Sequence, residues 1–210
     1  MTEFDLEACV NFNEDISISF KDNLPHADQK GKYQYITFRL ADSLPSSKCK
    51  ELKIITDEFL AQNPRPWNRE TMIQYWQRIG PMESRLLDKG LGECLLRKPE
   101  IRNIVASAIN HFDGIRYDTV AYVIMPNHIH LLIKCRASHS ISQIVYSIKR
   151  FTASQVNKQL NRTGPLWMKR YFDRLPRTEA DFTHYIKYIK ANPYFLPPED
   201  YTLYIAGETN

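Results

Sequence analysis

The stretch Tyr122–Lys134, YVIMPNHIHLLIK, decides the reading of this chain. An apolar run rich in β-branched and aromatic residues breaks at Pro126-Asn127 and resumes at His128. Two such runs joined by turn residues predict a β-hairpin, IRYDTVAYVIM followed by HIHLLIK. Successive side chains of a strand point to opposite faces. His128, His130 and Leu132 therefore share one face, and Ile129, Leu131 and Ile133 share the other. Two neutral imidazoles side by side can both reach one transition-metal ion. They can equally be a hydrogen-bonded pair in a core, and a lone H-x-H leaves both readings open. No acid lies between Lys134 and Ser140 to extend the set, and no third histidine has zinc-site spacing; His139 falls in a polar loop.

Outward from the hairpin, the flanking segments change period from two to 3.6. PEIRNIVASAINHFDG predicts a helix, with Pro99 in its first turn, Gly114 past its end and Ile101, Ile104, Val105, Ala108 and Phe112 as its apolar stripe. SISQIVYSIKRFTASQVNKQL predicts another, with Ile141, Ile144, Val145, Ile148, Phe151, Thr152, Val156 and Leu160 facing inward. Tyr33–Ala41 reads as a first strand. The segment after it, SSKCKELKIITDEFLAQ, reads as a helix capped by Ser46 or Ser47. LWMKRYFDRLPR reads as a strand or extended arm. TEADFTHYIKYIKANP reads as a final helix opened by a Thr178–Asp181 capping pattern and stopped by Pro193.

The order strand, helix, insertion, helix, strand, strand, helix, strand, helix fits an α+β fold. We expect a ferredoxin-like antiparallel sheet with helices on one side and a helical insertion, about residues 63–98, after the first helix. Residues 1–30 read as a polar N-terminal tail or edge extension, 31–195 as the single folded domain, and 196–210 as a C-terminal tail.

The chain has 210 residues, 43% hydrophobic and 25% charged, an ordinary balance for a globular domain with a sizeable core. No apolar run approaches the length of a bilayer span and no signal peptide is visible, so a cytoplasmic protein without a membrane partner is expected. Cys9, Cys49, Cys94 and Cys135 are scattered and form no C-x-x-C pair, which argues against a zinc knuckle or a disulfide framework.

The net charge of +4 conceals a strong asymmetry. Lys134–Arg177 holds ten Lys or Arg against the single acid Asp173, leaving that segment at +9 and the remainder at −5. This predicts either a polyanion-binding surface or a solvated basic helix face. Interleaved Tyr146, Phe151, Trp167, Tyr171 and Phe172 favour single-stranded nucleic acid, because bases stack on rings while cations hold phosphates, although some of these rings must belong to the core.

In the final helix Phe182, Ile186 and Ile189 form a core stripe, and His184, Tyr188 and Asn192 run beside it at i, i+4 and i+8. A tyrosine there can be amphipathic packing alone. What sets Tyr188 apart is the Asn192 carboxamide one turn on, an oxygen able to join two imidazoles on one ion. Such an N,N,O set suits Mn²⁺ or Mg²⁺ better than a closed zinc site.

MPNHIHLLI resembles the histidine–hydrophobe–histidine (HUH) motif of the single-tyrosine transposases. SIKRFTASQVNKQLNRTGPLWMKRYFDR followed by YIKYIKANP is similar to their REP-associated tyrosine branch, and YITFRLADSLP and GECLLRKPEIRNIV read like members of it. The resemblance spans about Tyr33 to Pro193. It implies a metal-dependent single-stranded DNA endonuclease and strand transferase acting on hairpin-forming DNA through a 5′-phosphotyrosine intermediate. It carries the nucleophile onto Tyr188 and the metal ligands onto His128, His130 and Asn192, with Mg²⁺ or Mn²⁺ as the ion. Lys134, Arg136, Lys149, Arg150, Lys158, Lys169, Arg170 and Arg174 would hold the DNA, and the protein would act as a monomer or homodimer. Two alternatives remain: a non-catalytic nucleic-acid-binding protein on the same fold, and a metal-dependent phosphodiesterase that uses water.

Overall fold

The computed structural model describes residues 4–11, 16–21, 24–136 and 138–208. Among these residues seven strands, β1 (Ser17–Lys21), β2 (Leu24–Asp28), β3 (Tyr33–Arg39), β4 (Tyr117–Ile124), β5 (His128–Cys135), β6 (Phe172–Arg174) and β7 (Thr202–Ile205), accompany five α-helices. These are α1 (Ser46–Gln62), α2 (Arg69–Leu87), α3 (Pro99–Asn110), α4 (Ile141–Gln159) and α5 (Glu179–Ala191).

The main sheet is antiparallel throughout, in the order β6-β3-β5-β4-β7. Its first four strands have the order of the expected ferredoxin-like plan. The β4–β5 hairpin closes at Pro126-Asn127, where the Met125 N–H donates to the His128 carbonyl. β5 lies between β3 and β4, so its backbone is paired on both edges and its first six side chains are buried. β7 falls within the segment read as a C-terminal tail and lengthens the sheet beside β4. Within the segment read as an N-terminal tail, β1 and β2 form a separate hairpin against β6. There Asp173 takes the His26 ring (Nδ1 to Oδ1 2.5 Å) and the Ala27 N–H.

The pleat divides β5 as expected. Ile129, Leu131 and Ile133 join Ile36 and Phe38 of β3 in the main core, under α3 and α4. Ser140 and Gln143 cap α4 reciprocally, and Trp167 ties the following arm to it through Nε1–H to Thr152 Oγ1 at 2.8 Å. Phe151 departs from the expected inner face and is about half exposed, as is Tyr146. Of the remaining interleaved rings, Trp167 and Tyr171 are buried.

The opposite face carries Tyr33, Tyr35, Leu132 and Val123, and here α5 packs through Phe182 and Ile189. The one-sided plan does not include this helix. Burial of its stripe explains the placement, since α3 and α4 already occupy the first face. Thr178 caps α5 by accepting the Asp181 N–H, as its sequence predicts. The insertion supplies α2, which pairs with α1 through Phe59, Trp67 and Tyr75. Pro45 rather than a serine occupies the α1 N-cap, and no side chain caps that end. Among the described residues no helix is long and apolar enough to cross a membrane.

Candidate active site

The pleat of β5 places His128 and His130 together on the α5 face, both almost wholly buried. Their Nε2 atoms lie 3.1 Å apart. The Asn127 amide donates through Nδ2 to the Leu91 carbonyl, which turns its Oδ1 toward His128 Nδ1 at 2.7 Å. A carboxamide oxygen only accepts, so His128 carries its proton on Nδ1 and presents a lone pair on Nε2. On His130, Nδ1 meets the hydroxyls of Tyr35 and Thr37, each at 2.8 Å. A hydroxyl can donate or accept, so these partners allow both tautomers of His130, one with Nε2 free and one with Nε2–H directed at His128 Nε2. Burial depresses both imidazole pKa values, that of His128 to about 3, so both rings are neutral near pH 7.

Two lone pairs at this separation repel unless a cation or a proton lies between them. Two nitrogens bound to one ion at about 2.1 Å each, near a right angle, stand about 3.0 Å apart. The pair therefore fits a divalent cation. Among the described residues no ready-made group of three His, Cys, Asp or Glu surrounds it. Asp88, just past the end of α2, approaches one member only, its Oδ1 lying 3.9 Å from His128 Nε2. Burial raises the pKa of this carboxyl. Asn192 Oδ1 is buried without a hydrogen-bond partner, the orphaned oxygen expected of a further ligand.

Tyr188 sits on α5 with its ring edge-on to His130, centroids 5.1 Å apart. Its hydroxyl is buried and, among the described residues, has no hydrogen-bond partner of normal geometry, with Ser84 and Asn192 the side chains that approach it. Burial raises its pKa above the ordinary tyrosine value and Asp88 adds to the effect, while Ser84, Asn192 and Arg174 favour the ionised form. The neighbouring Tyr185 ring instead stacks on Tyr35, centroids 4.4 Å apart.

A cleft of about 260 Å³ opens onto Tyr188 between α5 and the end of α2. Arg174 enters it from β6, with Nη2 donating to the Trp76 carbonyl at 2.6 Å. It can do so because α2 has a glycine at position 80. A methyl group there would overlap the guanidinium.

The other basic residues divide. Arg150, Lys158 and Lys169 are exposed, and Arg170 lies between the sheet edge and the insertion. Lys134 pairs with Asp5 and Arg136 with Asp118. Lys134 is six residues along β5 from His128, roughly 20 Å away. Lys149 points inward, and its ammonium donates to the carbonyls of Met168, Lys169 and Arg170. Burial, with help from Arg39, lowers its pKa to about 8. Lys149 thus holds the arm after α4. Truncation of Lys149 to Ala orphans three carbonyls and should cost about 2–3 kcal/mol of stability. In thermal unfolding this appears as a lowered Tm.

The sequence reading missed Ser84, Asp88, Tyr35, Thr37 and Asn127. Asn127 had a local signal, its place before the H-x-H. The α2 residues had none, because nothing in the chain order says which face an insertion will cover.

Known proteins resemble this chain in part. Residues 96–192 match the family described as "Transposase IS200 like". A relative from Haemophilus influenzae, described as a putative REP-associated tyrosine transposase, is 28% identical over 104 residues, 45% of this chain and 57% of its own length. The chain thus spans a little over half of that relative. A solved structure of a REP-associated tyrosine transposase bound to a REP hairpin aligns over 81% of this chain and 71% of its own, with 14% identity and a TM-score of 0.44. The segment that holds His128, His130, Tyr188 and Asn192 matches the IS200-like transposase family, and the chain is similar to a REP-associated tyrosine transposase relative.

Proposed function

We propose that this protein is a metal-dependent single-stranded DNA endonuclease and strand transferase that cleaves hairpin-forming DNA through Tyr188. The observation that carries this reading is the buried, unpartnered Tyr188 hydroxyl on a helix packed against two neutral histidines whose Nε2 atoms face each other.

A Mg²⁺ or Mn²⁺ ion held by His128, His130 and Asn192 would polarise the scissile phosphate and neutralise developing charge. A free tyrosine, with a pKa near ~10, is a weak nucleophile at neutral pH. Ser84, Asn192 and Arg174 favour its phenolate, against the burial and the Asp88 charge that together raise its pKa. Tyr188 Oη gives its proton to water in the cleft, which can return one to the leaving oxygen, and attacks phosphorus in line. The P–O3′ bond breaks, its electron pair leaves on the 3′ oxygen, and that oxygen takes up a proton. The products are a 5′-phosphotyrosine and a 3′-hydroxyl. A second 3′-hydroxyl can reverse the step and join new ends, since the phosphodiester is exchanged and not hydrolysed. Arg150, Lys158, Lys169 and Arg170 would hold the strand or the hairpin stem by its phosphates. The same chemistry serves a monomer or a homodimer that exchanges its tyrosine helices.

The test is incubation with labelled single-stranded hairpin oligonucleotides and Mg²⁺ or Mn²⁺, followed by denaturing electrophoresis. A denaturation-resistant protein–DNA adduct, lost in EDTA, is expected. Cleavage without an adduct identifies a water-using phosphodiesterase, and EDTA-insensitive binding without cleavage identifies a binding protein.

The Gly80 notch gives a second prediction. Gly80→Ala pushes aside only the flexible end of Arg174, so the fold should survive. Adduct formation should fall about tenfold or more, as for a weakened charge-assisted contact worth roughly 1.5–3 kcal/mol. Arg174→Ala should do the same, and the double variant should be no worse than either. Additive losses in the cycle would separate the two residues.

A further inference from the structure

A second cavity, of about 460 Å³, lies between α1, α2 and the β3–β6 edge of the sheet. It shares Thr37, Glu83, Leu87 and Phe172 with the cleft at Tyr188, so the two hollows adjoin. Its size falls within the range of roughly 300–1,000 Å³ typical of small-molecule sites and admits one nucleobase with its sugar. The walls are flat or aliphatic, with the Tyr75 and Phe172 rings and the Leu52 side chain. Polar groups converge inside. Arg39 and Glu83 form an ion pair of 2.8 Å in the wall. Tyr75 is wholly buried, and among the described residues its hydroxyl has no hydrogen-bond partner of normal geometry, with Thr56 the side chain that approaches it. A buried hydroxyl in that state costs about 1–3 kcal/mol, which a ligand with a hydrogen-bonding edge would recover. Arg170 and the exposed Lys169 also line the cavity, together with the Lys53–Asp57 ion pair. Positive charge at the entrance with aromatic and aliphatic walls within suits a nucleotide, phosphate outside and base inside.

We propose that this cavity receives one unpaired nucleobase of the substrate strand, turned out of the run beside the scissile phosphate. The inference rests on the DNA-cleaving reading for its ligand class but not for its test. A flipped base pays an unstacking cost of a few kcal/mol, least for a base already unpaired, and is read through its edge and its faces. The insertion would thereby select which phosphodiester reaches Tyr188, since a base fixed in one hollow sets the register of the phosphates in the next.

Cys49 lines this cavity and is partly exposed, whereas Cys9, Cys94 and Cys135 are buried. The full-length protein is mixed with hairpin oligonucleotides that carry a disulfide-tethered base at one position at a time along their unpaired flanks. Cross-linking to Cys49 is expected at one flank position at least tenfold faster than at the others. Cys49→Ser should abolish it, and Tyr188→Phe should leave it intact. In a second measurement, N-ethylmaleimide on Cys49 should weaken hairpin affinity about tenfold. The modification should have no effect when the DNA is abasic at the cross-linking position. Equal cross-linking along the flank, or affinity unchanged by the modification, would overturn the inference. A position-specific cross-link from a protein that forms no phosphotyrosine adduct would retain the cavity's role and remove the nuclease reading.

Discussion

Tyr188→Phe is expected to abolish the covalent protein–DNA adduct, by at least about 10³-fold, without unfolding the protein or weakening its grip on DNA. The loss is large because the variant has no atom that can form the bond to phosphorus. The cost to stability should be near zero. The Tyr188 hydroxyl is buried without a hydrogen-bond partner, and removing an unsatisfied polar atom while keeping the ring is neutral or stabilising. The ring contact with His130 is retained. Tyr185 provides the internal control. It lines the same cleft, but its ring is stacked on Tyr35. Tyr185→Phe should therefore retain the adduct. Quantitative denaturing electrophoresis with both variants checks the pair, and an adduct that survives Tyr188→Phe moves the nucleophile elsewhere.

His128→Ala and His130→Ala are the next largest. Each should lower cleavage by about 10³-fold, as loss of phosphate polarisation worth several kcal/mol requires. Both residues are buried, so truncation also leaves a void and strands their partners: the Asn127 oxygen in one case, the Tyr35 and Thr37 hydroxyls in the other. A stability loss of about 2–4 kcal/mol is expected. His128→Gln fills more of the space and separates the two effects. A readout independent of cleavage is the rise in Tm on adding Mn²⁺, which reports binding to the folded state. Wild-type protein should show it and all three variants should lose it, while hairpin affinity in EDTA stays within about threefold. A full Mn²⁺ response in His128→Ala would exclude the imidazole pair as the cation site.

The two halves of the site were legible for different reasons. His128 and His130 share a face because a strand alternates, and Tyr188 and Asn192 stand one turn apart because a helix repeats every 3.6 residues. Neither statement needs a neighbour. Lys149 shows where local reading fails. In the sequence it is one cation in a basic run; in the fold its ammonium finds three carbonyls of a segment about twenty residues on. Phe151 fails the other way, lying near an apolar stripe yet half exposed, because the angle at which α4 meets the sheet decides how wide its buried face is.

By itself the sequence determined the hairpin, the pairing of the two imidazoles, the helix that carries Tyr188 and the charge asymmetry along the chain. Each follows from backbone geometry or from counting. Only the tertiary structure decided that α5 covers the histidine face, that Asp88 and Ser84 come in from the insertion, and that Gly80 leaves room for Arg174. Those outcomes depend on which apolar surfaces remain to be covered once α3 and α4 have taken the first face of the sheet. Burial is a property of the whole packed chain, whereas periodicity belongs to each segment alone.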